Sequence, residues 1–127
     1  MFCRTLVIED DLLARQAMTK IIQSWGHSTL SAGTLAEAFD RLGDGPVCIV
    51  TDLNLPDGQG TEMLRHIRDH HLLVRIAVTT RSHDQELLAE VGRLHPDAFF
   101  AKPVDLRQLE DWMGEEARPD RDVSLPS

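Results

Sequence analysis

Residues 47–60 read Val47-Cys48-Ile49-Val50-Thr51-Asp52-Leu53-Asn54-Leu55-Pro56-Asp57-Gly58-Gln59-Gly60, and this stretch decides the fold. A short apolar run ends at an acidic residue, Asp52, and a turn that contains proline and glycine follows. Such a run is typical of a strand that is covered on both faces of a parallel sheet. Open α/β sheets place their chemistry at the carboxyl ends of these strands. Asp52 is therefore predicted to lie at the functional edge of a parallel sheet.

Short apolar runs alternate with amphipathic segments along the rest of the chain. Strands are predicted at about residues 4–8, 27–32, 47–51, 73–79 and 98–101, and helices at about 11–25, from 34, from 60, at 84–94 and from 105. Strand and helix alternate throughout, which predicts an α/β fold with a five-stranded parallel sheet and helices on both faces.

The helices carry apolar stripes and recognisable first residues. Thr34 and Glu37 have the spacing of a capping box, and Asp105 is an expected N-cap. The side chains expected to face the core are Ala14, Ala17, Met18, Ile21, Ile22 and Trp25 on the first helix, Met63, Leu64 and Ile67 on the third, and Leu106, Leu109, Trp112 and Met113 on the last.

Length and charge restrict the class of protein. A chain of 127 residues fits one domain, predicted at 1–116, with a polar tail or truncated linker at 117–127. The net charge of −8 argues against a nucleic-acid or membrane surface. No apolar run reaches membrane-spanning length and no signal peptide is evident, so a cytoplasmic location is expected. Cys3 and Cys48 read as small apolar residues rather than a disulfide.

Two other predicted strands end in groups that match Asp52. Glu9 and Asp10 close the first strand, and Lys102 closes the last. Thr80 ends the fourth strand with a hydroxyl. Each feature alone has an ordinary explanation, such as acids that favour a helix N-terminus. Their coincidence at the carboxyl ends of one sheet predicts a functional site.

This set of side chains suits phosphoryl chemistry. An aspartate can attack an activated phosphoryl group and become an acyl phosphate. Mg²⁺ neutralises the charge of such a group and prefers oxygen ligands. Asp10 and Asp52 suit direct ligation, Glu9 a water-mediated contact, and Asn54 a contact through its backbone carbonyl. Lys102 offers a cation to Asp52 or to a phosphoryl oxygen.

In combination and order, these motifs resemble the response-regulator receiver domain of two-component signalling, over about residues 3–116. The matching pieces are Leu6-Val7-Ile8-Glu9-Asp10-Asp11, Thr51-Asp52-Leu53-Asn54-Leu55-Pro56-Asp57-Gly58, Val78-Thr79-Thr80 and Phe99-Phe100-Ala101-Lys102-Pro103. The resemblance implies a flavodoxin-like sandwich with strand order 2-1-3-4-5 and a cis Lys102–Pro103 bond.

The resemblance also assigns roles. Asp52 becomes the phosphoacceptor, Glu9 and Asp10 the Mg²⁺ acids with Mn²⁺ as a substitute ion, and Lys102 the phosphate-binding lysine. Thr80 becomes the switch hydroxyl and Phe99 the switch aromatic. Thr79 is the alternative switch residue. The spacing of Thr80 to Asp52 and Lys102 fits the family better than that of Thr79. Phe99 is alternatively plain core.

The implied function is a phosphoryl-accepting switch. A sensor histidine kinase or phosphotransfer protein would supply the phosphate, and the face of helix four, strand five and helix five would change for a partner. That partner is a downstream protein, a missing output domain or a second copy of the chain. The domain would assist its own phosphorylation and dephosphorylation without being an enzyme.

Two departures from the family pattern stand out. Arg81 follows the switch threonine where a small residue is usual, which suggests an effect on the lifetime of the acyl phosphate. His95-Pro96-Asp97 replaces the usual Gly-Ala before the last strand.

Three alternatives differ from an active receiver domain. A haloacid-dehalogenase-like phosphohydrolase also uses an aspartate nucleophile with Mg²⁺, but it expects that residue on the first strand with a second Asp where Asn54 lies here. A flavin-binding fold needs a phosphate loop after the first strand, where this chain has acids. A degenerate, non-phosphorylated receiver conflicts with the intact acid set.

Overall fold

The computed structural model describes residues 4–116, which form alternating strands and helices. In chain order these are β1 (Arg4–Ile8), α1 (Leu12–Ser24), β2 (Ser28–Ala32), α2 (Leu35–Arg41), β3 (Cys48–Asp52), β4 (Asn54–Leu55), β5 (Gly58–Gln59), α3 (Gly60–Asp69), β6 (Arg75–Thr80), α4 (Gln85–Leu94), β7 (Ala98–Ala101) and α5 (Leu106–Glu116). A 3₁₀ turn, Leu42–Asp44, follows α2.

The main sheet has five parallel strands in the order β2-β1-β3-β6-β7. Because β6 and β7 are its fourth and fifth strands in the chain, this is the predicted order 2-1-3-4-5, and the fold class is confirmed. β4 and β5 form a separate antiparallel hairpin inside the turn after Asp52, which sequence patterning did not predict.

Apolar side chains alternate between the two faces of the central strands. One core layer lies under α2, α3 and α4 and includes Leu6, Ile8, Ile49, Leu53, Met63, Leu64, Ile67, Ile76 and Val78. The other lies under α1 and α5 and includes Val7, Ile22, Cys48, Val50, Ala77, Leu109, Trp112 and Met113. Strand β3 is buried along its whole length, as a central strand with helices on both faces should be.

Side-chain caps fix where the helices begin. The Asp105 carboxylate accepts hydrogen bonds from the backbone amides of Arg107 (3.0 Å) and Gln108 (3.2 Å), which confirms it as an N-cap. The Thr34 hydroxyl accepts from the Glu37 amide at 3.1 Å. The reciprocal half of the predicted capping box is wrong, because Glu37 accepts from the Gly33 amide instead.

Two strand boundaries were predicted too early. Leu73 is 96 % exposed and lies before β6, and Val47 is exposed just before β3. Residue pairing between these strands begins with Cys48 and Arg75, although the Val47 backbone still donates to the Arg4 carbonyl and accepts from the Arg75 amide. An apolar residue at the end of a run therefore does not have to belong to the strand.

The predicted helix stripes were also too long at their first turns. Ala14 and Ala17 on α1 and Leu106 on α5 are exposed, whereas Ile22 and Leu109 are fully buried. Met63, Leu64 and Ile67 on α3 are buried as predicted.

Some predictions fall outside the described residues. The tail at 117–127 and Cys3 are among them. Cys48 is buried, as expected for a small apolar side chain. Between residues 4 and 116, no helix combines the length and apolar character that crossing a bilayer requires.

Shortening Leu64 to alanine tests the core layer that lies under α2, α3 and α4. Leu64→Ala is expected to lower the free energy of unfolding by about 2 to 5 kcal/mol, because it leaves a cavity under α3. The matched control is Leu73→Ala, at a side chain that is 96 % exposed, and its effect should stay within about 0.5 kcal/mol. Urea denaturation followed by circular dichroism measures both, and equal losses would contradict this assignment of the core.

Candidate functional site

The sheet order brings the ends of distant chain segments together. Asp52 ends β3, Glu9 directly follows β1, and Lys102 directly follows β7. The Lys102 Nζ donates to Glu9 Oε1 at 2.8 Å and to Asp52 Oδ2 at 3.0 Å. Its backbone amide donates to the Thr80 carbonyl at 2.8 Å, so it continues the β6–β7 ladder into the site. The Lys102–Pro103 bond is cis, as the resemblance implied.

Three carboxylates converge at this edge. Oxygen atoms of Glu9, Asp10 and Asp52 all lie within 4.8 Å of one another, and within residues 4–116 no other group of acids, histidines and cysteines has this arrangement. Both Glu9 oxygens already accept hydrogen bonds, one from Lys102 and one from the Asp11 amide at 3.1 Å. The Asp52 oxygens are contacted in the same way, Oδ2 by Lys102 and Oδ1 by the Asn54 amide at 3.4 Å, so hydrogen bonding alone does not rank these acids as metal ligands. The oxygen-only donor set fits Mg²⁺.

The charges of the site shift each other's pKa values. Burial acts to raise the pKa of the Glu9 carboxyl, but Lys102 and the Asp11 amide outweigh it and hold that pKa below its usual value. Partial burial, with the neighbouring Glu9 carboxylate, raises the pKa of Asp10. Burial opposes the charge of Lys102, yet Glu9 and Asp52 raise its pKa. Lys102 thus neutralises Glu9 and Asp52 in part and leaves a net negative site.

Arg15 contacts the backbone of the acidic loop, residues 9–11, and sequence reasoning did not predict this contact. Its Nη1 donates to the Glu9 carbonyl at 2.7 Å and lies 3.5 Å from the Asp10 carbonyl. A Cβ added to Gly33 would lie 2.8 Å from the same nitrogen, so the glycine leaves room for the guanidinium. The sequence held only a weak signal, a cation in the first turns of the helix that follows the acidic run.

The loop after Asp52 is anchored at both ends. The Asn54 amide lies 3.4 Å from Asp52 Oδ1. The Asp57 carboxylate accepts from the Leu35 amide at 2.7 Å and the Ala36 amide at 3.0 Å, and these bonds lower the pKa of Asp57. Asp57 therefore fastens the loop to the N-terminus of α2.

Gly60 allows α3 to begin directly against the strand that carries Asp52. A Cβ at this position would lie 2.5 Å from the Asp52 carbonyl oxygen, a backbone atom with little freedom to move. The Gly60 amide donates to the Leu53 carbonyl at 2.7 Å, which keeps the two segments close. Any larger residue here would displace the segment that carries Asp52.

A solvent-open cavity of about 380 Å³ lies above the carboxylates. Besides Glu9, Asp10, Asp52 and Lys102, its lining includes Asp11, Ala14, Asn54 and Arg81. Glu9, Asp10, Asp52, Asn54 and Lys102 therefore surround one accessible space, whereas Thr80 does not line it. The cavity is large enough for a small anion together with water.

The two adjacent threonines differ in their contacts. The Thr79 hydroxyl donates to the Thr51 carbonyl at 3.4 Å. The Thr80 Oγ1 accepts from the Ser82 amide at 2.8 Å, and its own hydrogen has no acceptor within residues 4–116. Thr80 also lines a second cavity, of about 440 Å³, together with Phe99. Phe99 is 44 % exposed, so its interpretation as plain core is wrong.

Comparison with known proteins gives matches over most of the chain. A family model described as the response regulator receiver domain matches residues 5–113. The transcriptional regulatory protein PhoP of Escherichia coli is 30 % identical over 107 residues, which are 84 % of this chain and 48 % of PhoP. The KDP operon transcriptional regulatory protein KdpE of the same organism is 26 % identical over 106 residues, 83 % of this chain and 47 % of KdpE. The chain thus spans about half the length of these relatives.

A solved structure gives the same fold. The response regulator receiver protein of Pseudomonas putida superposes with a TM-score of 0.83 at 26 % identity. The match covers 91 % of this chain and 98 % of that protein. The predicted family resemblance is confirmed, and no support emerges for a phosphohydrolase.

Removing the lysine tests the electrostatics of the site. In Lys102→Met the Glu9 carboxyl should titrate at a higher pH than in the wild type, because burial remains and the lysine that lowered its pKa is gone. Carbon-detected NMR of the side-chain carboxyl measures this. A lowered folded-state pKa stabilises the protein above the unfolded pKa and loses that effect as the pH falls, so the variant should lose less stability on acidification.

The control is Lys20→Met, which removes the same charge from an exposed position on α1. It should leave the Glu9 titration where it is in the wild type. An unchanged Glu9 pKa in Lys102→Met would show that the lysine does not control this carboxyl.

Proposed function

This chain belongs to the response regulator receiver domain family, and we propose that Asp52 accepts a phosphoryl group from a phosphohistidine of a sensor kinase or phosphotransfer protein. One observation carries the proposal. The Asp52 carboxylate is held by Lys102 at 3.0 Å beside two further carboxylates, at the floor of an open cavity. A buried aspartate at a strand end, accessible from one side, can act as a nucleophile only toward a group that enters this space.

The transfer exchanges one bond to phosphorus for another. An Asp52 carboxylate oxygen forms the new P–O bond as the P–N bond to the donor imidazole breaks. The electron pair of that bond returns to the imidazole nitrogen, which takes a proton from solvent. Lys102 keeps the carboxylate oriented and offers a cation to the phosphoryl oxygens.

The residues of the site would also hold a divalent cation. Asp10 and Asp52 would be direct ligands of Mg²⁺, with Mn²⁺ as a substitute, Glu9 would contact it through water, and Asn54 through its carbonyl oxygen. An ion bound there neutralises the negative charge that the three carboxylates and the phosphoryl group bring together. Burial, and after it the neighbouring Glu9 carboxylate, raises the pKa of Asp10, and a bound cation would offset both effects.

Thr80 and Phe99 are the proposed switch. The Thr80 hydroxyl hydrogen is free to turn to a phosphoryl oxygen, whereas the Thr79 hydroxyl is bonded to Thr51. Phe99 lies beside the cavity that Thr80 lines, so it has space to turn inward. Phosphorylation would then shift the population between two packings of the same residues.

The surface formed by α4, β7 and α5 is the proposed output face. Phe99 lies in its β7 strand and is partly exposed, so a change in its rotamer alters this surface. The relatives named as transcriptional regulators are about twice as long as the matched region. We therefore propose that the face binds an output domain, a target protein or a second copy in the cytoplasm, and that this domain itself contacts no nucleic acid or membrane.

Replacing the acceptor tests the proposed chemistry. With acetyl phosphate and Mg²⁺, the wild type should form an acid-stable, base-labile acyl phosphate, and Asp52→Asn should form none. Intact-protein mass spectrometry measures the product. Asp57→Asn is the matched control, because it makes the same change five positions away and outside the cavity. Labelling of Asp52→Asn at the wild-type level would refute the assignment, and chelation with EDTA should abolish labelling of the wild type.

Alanine at each threonine decides which one is the switch. Both variants should accept phosphate on Asp52. The Phe99 ring resonances should shift on phosphorylation in the wild type and in Thr79→Ala, but stay in place in Thr80→Ala, because only the Thr80 hydroxyl is available to the phosphoryl group. Two-dimensional NMR of the aromatic side chains measures this, and the opposite pattern would assign the switch to Thr79.

A further inference from the structure

Arg81 is a cation at the mouth of the site that has no assigned partner. It directly follows β6, is exposed, and lines the cavity above Asp52. Among residues 4–116 its guanidinium takes part in no hydrogen bond or ion pair. An arginine beside three carboxylates without a contact to any of them is free to bind another anion in the same space.

The charges of the cavity show what that anion would be. The three carboxylates that converge, Glu9, Asp10 and Asp52, contribute three negative charges, and Lys102 is already shared between two of them. Asp11 also lines the cavity, but its carboxylate caps α1 and is left out of this sum. With a divalent cation bound, these charges and Lys102 sum to zero. Phosphorylation turns the single charge of Asp52 into about −2, since a phosphoryl group carries that charge near neutral pH. The phosphorylated site therefore lacks about one positive charge, which one arginine supplies.

We propose that Arg81 binds the phosphoryl group on Asp52 as a second cationic anchor beside Lys102. This inference rests on the proposed function. A guanidinium presents a planar fork of donors that matches two phosphoryl oxygens, whereas the Lys102 ammonium acts as a point charge. The two cations directly follow adjacent strands, β6 and β7, so both lie at the carboxyl edge of the sheet that carries Asp52.

The position of Arg81 also connects the anion to the switch. Arg81 lines the cavity that contains Thr80 and Phe99 as well as the cavity above Asp52. A guanidinium drawn toward the phosphoryl group therefore changes the occupancy of the space beside Phe99. Arg81 is thus expected to contribute both to anion affinity and to the inward state of that ring.

The test compares binding of an anion with binding of a cation. The probe is trifluoroberyllate, which bonds to an aspartate carboxylate with the shape of a phosphoryl group. Isothermal titration at saturating Mg²⁺ should show about tenfold weaker binding to Arg81→Ala, the loss of one partly exposed charge-assisted hydrogen bond. Arg81→Lys should lose about threefold, since it keeps the charge but not the fork.

Mg²⁺ binding without the anion separates a direct role from a structural one. Removing a positive charge from the cavity should leave the Mg²⁺ affinity of Arg81→Ala unchanged or make it stronger. A disturbed loop would weaken both affinities in parallel, and that result would overturn the inference. Arg93→Ala is the matched control, because Arg93 is exposed on α4 and lies outside this cavity. It should bind both probes as the wild type does.

The remaining outcomes distinguish this inference from the proposed function. Trifluoroberyllate affinity of Arg81→Ala within about twofold of the wild type would refute a role for Arg81. If Asp52→Asn then fails to bind the anion, the proposed function stands without Arg81. If the wild type itself neither binds trifluoroberyllate nor accepts phosphate, both are refuted.

Discussion

The ammonium group of Lys102, set between Glu9 and Asp52, is the interaction on which the rest of the site depends. Three segments that are far apart in the chain meet there, because the parallel sheet ends them at one edge. The three side chains are largely buried, so their charges are poorly solvated and each needs the others. The lysine reaches across from the edge strand β7 and so fixes the acceptor relative to the acidic loop.

Lys102 compensates the negative charge of Glu9, Asp10 and Asp52 only in part. The uncompensated negative charge underlies the proposed binding of a divalent cation and a phosphoryl group. One lysine faces three carboxylates, with Asp10 left over as the group whose pKa is raised. Such a site favours the binding of a divalent cation, because the repulsion between the carboxylates would supply affinity for the ion. A phosphoryl group on Asp52 would add negative charge and would therefore favour a further cation nearby, which is the basis of the role proposed for Arg81.

Sequence patterning predicted the five main strands and the meeting of Glu9, Asp10, Asp52 and Lys102 at one edge, because strand ends of a parallel sheet lie together whatever the side chains are. The strand order came from the family resemblance rather than from patterning. Other features escaped it, and three of them show why. The β4–β5 hairpin depends on the conformation of a short turn, and Leu73 was misplaced because the ladder, rather than hydrophobicity, ends a strand. The contact from Arg15 to the Glu9 and Asp10 carbonyls is made to backbone atoms, which leave no pattern in a sequence.

The central claim is that carboxylates from β1 and β3 share one metal ion beside the acceptor. A crystal structure of the protein with Mn²⁺, recorded with anomalous diffraction, tests this most directly. The account predicts one ion bonded to carboxylate oxygens of Asp10 and Asp52, with the Asn54 carbonyl as a third protein ligand and Glu9 contacting it only through water. An ion that is ligated elsewhere, or that bonds Glu9 without Asp52, would contradict it.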